Sequence, residues 1–234
     1  SLEGGGAERS MLNLTRGFLA QGRTVDLVLC RAKGAYLEDI PEGATMIELK
    51  ATPGLWARCV TAIRHMKDIP ALARPVLLAK KSAPEVSRVR ALQDYIAQSR
   101  PDIILSALPY CNLAAVWAKQ RSGTGVPVVV SERIVLSTYC GAPPNSGKWR
   151  WRYLPELVRR TYPGADAVVT VSHEVADDLR TRVGLVHEGI NTIYNPVVDD
   201  NLRKRAQEPL GHVWFQPGSA PVILGVGRFT EQKD

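Results

Sequence analysis

Asp102-Ile103-Ile104-Leu105-Ser106, a helical stretch over residues 112–120, and Pro127-Val128-Val129-Val130-Ser131 follow one another without a long loop between them. Two short apolar runs separated by one helix read as parallel strands joined by a crossover, because strands covered on both faces lose the apolar–polar alternation of a half-exposed sheet. Upstream, Val89, Leu92 and Ile96 supply the buried face of another helix. Ser82 stands at its N-cap, Pro84 in its first turn and Glu85 three residues after the serine, and the helix ends before Pro101. Downstream, residues 151–162 read as a helix with Leu154, Leu157, Val158 and Tyr162 as its apolar stripe. The strand Asp166-Ala167-Val168-Val169-Thr170-Val171 comes next, then an N-cap at Ser172 and a helix that closes at Gly184.

Nearer the start, Ala7, Met11, Leu14 and Phe18 lie at helical spacing over residues 7–21, before strand candidates at 24–30 and 44–49. Residues 56–81 have helical content interrupted by Pro70 and Pro75. This alternation of helix and strand predicts an α/β fold, a Rossmann-like parallel sheet with helices on both faces. The chain has 234 residues, 45% hydrophobic and 23% charged, which fits one globular domain or slightly more and excludes a disordered chain. No apolar run approaches the roughly 18 residues that suggest a membrane span, and no signal peptide is visible. Cys30, Cys59, Cys111 and Cys140 form no Cys-x-x-Cys pair, so the spacing indicates neither zinc nor a disulfide framework, and a reducing cytosol is the simplest home. The net charge of +7 favours anionic partners such as nucleotide phosphates or lipid headgroups.

Four places have residues suited to chemistry. Val222-Ile223-Leu224-Gly225-Val226-Gly227-Arg228 reads as a strand running into a loop, with Lys233 five residues beyond the arginine. Glycines let backbone approach a diphosphate and the two cations would neutralise it, although the pair alone equally fits a solvated basic loop. Gly4-Gly5-Gly6 opens the first helix as a phosphate-binding loop does, but the strand that normally precedes such a loop is missing, and a flexible linker has the same composition. Ser131-Glu132-Arg133, just past a buried strand, lies where open parallel sheets place ligand contacts, as does Asn112; a Glu–Arg pair capping the strand is the alternative. Lys148-Trp149-Arg150-Trp151-Arg152 interleaves cations and tryptophans. That suits an anionic membrane surface, or an ordinary helix with solvated cations; no nucleic-acid fold surrounds it.

Taken together, the glycine loop, Val130-Ser131-Glu132-Arg133, Ala165-Asp166-Ala167-Val168-Val169 with Val171-Ser172, and Ile193-Tyr194-Asn195-Pro196 followed by Gly227-Arg228 and Gln232-Lys233 resemble glycosyltransferase family 4. The resemblance is to the N-terminal half of a retaining GT-B enzyme, running into the first strand of its second domain. It implies an acceptor-side domain over residues 1–196 without its first strand, a linker over 197–220 with one short helix, and the start of a donor-binding domain over 221–234. It gives Arg228 and Lys233 the catalytic task of stabilising the departing diphosphate, places Gly4, Gly5, Gly6 and Gly227 near the donor phosphates, and sets Asn112, Ser131, Glu132 and Arg133 on the acceptor side of the cleft. Many relatives carry a histidine after such a strand; here none of His65, His173, His187 and His212 is assigned, so no general base is named.

The function so implied is retaining transfer of a hexosyl or N-acetylhexosaminyl group from a nucleotide-sugar to a lipid-linked or polysaccharide acceptor. No metal or other cofactor and no nucleic-acid partner is expected. The location expected is cytoplasmic, with peripheral attachment to the inner face of the membrane through residues 148–152. Without the paired-glutamate motif of the donor domain the chain alone is expected to be inactive. The alternatives are a GT-B nucleotide-sugar epimerase and a noncatalytic acceptor-binding or scaffold subunit of a glycan assembly complex.

Overall fold

The computed structural model describes residues 1–79, 83–198 and 200–225, without the side chains at 64, 200 and 201. Two compact units divide the chain, Ser1–Pro196 and Val197–Asp234. In the first, α1 (Gly6–Ala20) leads to β1 (Val25–Leu29) and β2 (Ala44–Glu48), then to α2 (Gly54–Arg64), α3 (Ile69–Leu72) and α4 (Val89–Ser99). Then β3 (Ile104–Ala107), α5 (Pro109–Ser122), β4 (Val128–Glu132), α6 (Leu136–Gly141), α7 (Trp149–Arg152), α8 (Leu154–Thr161), β5 (Ala167–Thr170), α9 (His173–Asp177) and β6 (Ile190–Thr192) follow in order. All the strand pairs among the described residues are parallel, and the strands are flanked by helices, the α/β arrangement expected from the alternation.

The sheet is in two parts. β1 pairs with β2, while β3-β4-β5-β6 form a separate four-stranded sheet in sequence order. Lateral order and the division into two parallel sheets are invisible to local periodicity. β4 and β5 lie inside and are largely buried; β3 is an edge strand of intermediate exposure, which corrects the expectation that it is wholly covered. The main core forms around α5, whose Tyr110, Leu113, Ala115, Val116, Trp117 and Ala118 are all buried, a helix covered nearly all round. Against it pack Val128 and Val130 of β4, Val168 of β5, and Leu154, Leu157, Val158 and Tyr162, the stripe read from the sequence. Full burial of each aliphatic side chain contributes about 1.5–3 kcal/mol. Asp166 ties these layers at one edge: it accepts from Lys119 Nζ and from the Val128 N–H, both at 2.5 Å.

Three local expectations change. The helix expected over residues 151–162 breaks at Tyr153 into α7 and α8, because Pro155 supplies no N–H and its ring would strike the carbonyl four residues back. The helix that carries Val89 and Ile96 is preceded by a 3-10 turn at Val86–Arg88, so Pro84 and Glu85 sit before it; Ser82 lies outside the described residues. Ser172 does cap α9, its hydroxyl accepting from the Val175 N–H at 3.3 Å. At the start, Leu2 threads beside the loop after β1, donating to the Lys33 carbonyl at 2.8 Å and accepting from the Tyr36 N–H at 3.0 Å. Gly34, at φ +127°, leaves no room there for a side chain.

The second unit contains α10 (Asp200–Arg205) and a 3-10 turn at Val213–Phe215, capped by His212 Nδ1, which accepts from the Trp214 N–H at 3.2 Å. Residues 221–225 form no strand. The run beginning at Val222 has no partner strand among the described residues of its unit to take up ladder hydrogen bonds, and Gly227, Arg228 and Lys233 lie outside the described residues.

Candidate functional site

Because β4, β5 and β6 are parallel and in register, Glu132 pairing with Thr170 and Thr170 with Thr192, the segments leaving them emerge on one edge. Arg133 follows β4, Ser172-His173 follow β5, and Tyr194-Asn195-Pro196 follow β6. Arg133 Nη1 donates to Asn195 Oδ1 at 2.7 Å, and the Ser10 hydroxyl donates to the same oxygen at 3.0 Å. Asn13 Nδ2 reaches the Pro196 carbonyl at 2.8 Å, so α1, the end of β4 and the end of β6 are joined at one place. Burial pulls the Arg133 pKa down and the Glu132 charge opposes that pull.

Beneath this rim lies a buried polar chain. Asn112, one turn into α5, uses both amide protons, donating to the Ser131 carbonyl and to Tyr162 Oη, each at 2.9 Å. The Tyr162 hydroxyl in turn donates to Glu132 Oε2 at 2.8 Å, and the Arg133 N–H donates to Glu132 Oε1 at 3.1 Å. Beyond it, Asp178 accepts from the Ser137 hydroxyl and from the Ser137 N–H. Asn112, Ser131 and Glu132, read from the sequence as cleft residues, therefore sit under the surface, and of that group Arg133 is the one that reaches outward. The Asn112 Oδ1 and Ser131 Oγ atoms are buried without a hydrogen-bond partner.

Burial raises the Glu132 pKa from an ordinary 4.5 to about 7, outweighing the hydroxyl and backbone N–H groups that favour its charged form. Between those two values the native protein holds a proton that the unfolded chain has lost, so stability falls as pH rises. The contribution of the neutral carboxyl is complete below 4.5 and lost as pH passes about 7. The expected loss across that window is on the order of 3 kcal/mol in urea titrations, and Glu132→Gln should abolish this slope. An unchanged slope in Glu132→Gln would show that another group carries it.

The glycine loop begins α1. Gly4 is at φ +104°, a conformation that favours glycine, and Gly5 is the N-cap with no side-chain bond. The Glu8 carboxylate folds over Gly5 into the space a side chain there would take, so an anion lies against the positive helix end. Arg9 is held by Asp39 at 3.0 Å and lies 4.0 Å from the centre of the Tyr36 ring, fixing the loop after β1.

Lys148-Trp149-Arg150-Trp151-Arg152 divides by face. Trp151 is half-buried, edge-on to Tyr110 at 5.7 Å and to Tyr139 at 5.4 Å, whereas Trp149 is 48% exposed. Among the histidines, His187 is occupied structurally: Nδ1 accepts from the Gly189 N–H at 2.9 Å and Nε2 lies 3.1 Å from the Ala165 carbonyl. His173 is exposed at the start of α9, 6.1 Å from the Tyr194 ring, on the same edge as Arg133. Sequence reasoning passed over it, and over the hydroxyl of Tyr162. For His173 the available signal was position, three residues past the end of β5; the Tyr162 hydroxyl gave none, since it falls at the end of an apolar stripe.

Among the described residues one group has metal-ligating atoms gathered: Cys30, Glu85 and Cys111, all within 4.8 Å of one another. Two thiols and a carboxylate suit zinc, a combination that no local spacing announced because Cys30 follows β1, Glu85 precedes α4 and Cys111 lies in the first turn of α5. The Cys111 thiol hydrogen bond lowers the Cys30 pKa, while donating that bond and burial push Cys111 up. Burial raises Cys140 to about 12. Brief iodoacetamide treatment of the native protein should therefore alkylate Cys30 well ahead of Cys140, read by peptide mass spectrometry; equal labelling would refute this difference between the two thiols.

The profile of the family described as Glycosyltransferase Family 4 matches residues 4–201, covering both the glycine loop and the Asn195 edge. A search of curated proteins finds no match.

Proposed function

Since the chain belongs to glycosyltransferase family 4, we propose that it moves a hexosyl or N-acetylhexosaminyl group from a nucleotide-sugar to a lipid-linked or polysaccharide acceptor. In the proposed step the bond from the anomeric carbon to the donor diphosphate breaks and a bond to the acceptor oxygen forms on the same face. The acceptor proton passes to the departing phosphate, so no protein base is required. Charge growing on the diphosphate is met by Arg228 and Lys233, and fixed cations aimed at developing charge are worth most where water is excluded. The reading needs no metal, because those side chains supply the positive charge. It places the fold in a GT-B enzyme with residues 221–234 opening the donor side, in the cytoplasm.

The observation that carries this reading is the junction at Asn195. It anchors a half-buried cation, Arg133, beside the helix opened by the glycine loop, on the edge where parallel sheets bind ligands. Glu8 would have to leave the helix end for a donor phosphate to approach, since two anions there repel. The test is incubation of the full-length gene product with a panel of nucleotide-sugars and lipid-linked or polysaccharide acceptors. Products should be seen by mass spectrometry, with retained anomeric configuration by NMR. Transfer from no donor, or an inverted product, would count against it.

A further inference from the structure

α2 has its apolar face outward. Leu55, Trp56, Cys59 and Ile63 are exposed while Ala57 and Thr61 face the protein. At 3.6 residues per turn those four exposed side chains fall within an arc of about 100°. A helix on the surface of a soluble domain normally shows the opposite sense. Leu55 is 78% exposed and Ile63 69%, and Met66 and Leu78 extend the exposed apolar surface beyond the helix. Arg58 pins this segment together, its guanidinium donating to the Leu77 and Ala79 carbonyls at 3.1 and 2.7 Å.

Charge decides what covers such a patch. Residues 55–79 contain the cations Arg58, Arg64, Lys67 and Arg74 against the single carboxylate of Asp68; Lys80 and Lys81 follow in the sequence, outside the described residues. Asp68 itself lies 3.9 Å from Arg160. Arg74 lies 4.7 Å over the Tyr153 ring, which joins the patch to the basic α7. A second copy of this chain would bring the same positive field against itself. An anionic bilayer complements both the cations and the apolar stripe, and among the described residues no helix is long and apolar enough to cross one.

We propose that α2 and the segment following it dock on an anionic lipid surface, with Leu55, Trp56, Ile63 and Met66 entering the boundary between headgroups and acyl chains. This deepens the reading of a lipid-linked acceptor and rests on it for purpose, but not for evidence. It also moves the main contact from residues 148–152 to α2, with α7 contributing charge while Trp151 stays with the core.

The test is co-sedimentation of the 234-residue chain with vesicles of phosphatidylglycerol and phosphatidylcholine in equal parts, against pure phosphatidylcholine. The expected result is at least about tenfold stronger partition into the anionic vesicles, falling steeply with salt. The double change Leu55→Ser with Ile63→Ser should reduce partition about tenfold, and both sites are exposed enough that the thermal melt should not move. No preference for anionic vesicles, or equal binding by the double variant, overturns the proposal. A dimer in sedimentation equilibrium that the double variant loses, without vesicle binding, overturns it in favour of self-association. The vesicle assay contains no sugar donor and so reads docking alone; docking here with no product in the separate nucleotide-sugar incubation refutes only the enzymatic reading, and product there without docking here refutes only the membrane contact.

Discussion

Tyr162→Ala is expected to cost about 3–5 kcal/mol of folding stability, the range for deleting a fully buried aromatic ring. The ring lies against α5 and the central strands, and its hydroxyl is the middle link between Asn112 and Glu132. Tyr162→Phe separates the two contributions. It keeps most of the volume but leaves an Asn112 N–H and a Glu132 oxygen unpaired, at about 1–3 kcal/mol. It also removes a donor that favours ionised Glu132, so the loss of stability with rising pH should move to higher pH. Guanidinium unfolding at several pH values reads both effects. A phenylalanine variant as stable as the parent would mean that the buried chain adds nothing beyond packing.

If the proposed reaction holds, Arg228→Ala or Lys233→Ala should each lower kcat by about a hundredfold, comparable to removing one preorganised donor from a site of developing charge. In the proposed reaction the leaving group is a diphosphate, whose growing charge calls for fixed cations. Arginine presents two parallel N–H groups to phosphate oxygens and lysine a compact charge, so Lys233→Arg is expected to recover only part of the rate. A fall in kcat with little change in KM would indicate interactions made in the transition state; a rise in KM alone would indicate ground-state binding. Parental rates in both alanine variants would remove these side chains from the reaction.

Much of the first unit is legible because its signals are local. Val128-Val129-Val130 and Val168-Val169 are short apolar runs bounded by turn residues, and the period of Leu154, Leu157, Val158 and Tyr162 survives in α8 and the turn after it. The edge position of β3 and the division of the sheet are not legible, since neighbouring strands are chosen by packing between distant segments. Chemistry shows the same limit. Arg133 can be singled out from its place after β4, but its partner Asn195 is 62 residues away and Ser10 is 185 residues from that asparagine, and no period links such residues. Asn112 and Glu132 are polar residues near strand ends, a place that fits a ligand cleft and, for the Glu132–Arg133 pair, equally a strand cap. They instead satisfy one another through Tyr162, whose hydroxyl looks like part of an apolar stripe. α2 is hidden for the opposite reason: apolar residues at helical spacing suggest a core face, and only the fold shows which side is out.

The link from β3 to α5 is one residue long. Leu108 follows Ala107 at φ +79°, and Pro109 already begins the helix. With no slack in that joint, the rotational phase of α5 is geared to the strand, and Asn112 is delivered to Ser131 by construction. One inserted residue would turn the helix by about 100° and aim that amide elsewhere, so evolution can lengthen other connections of this domain far more freely than this one.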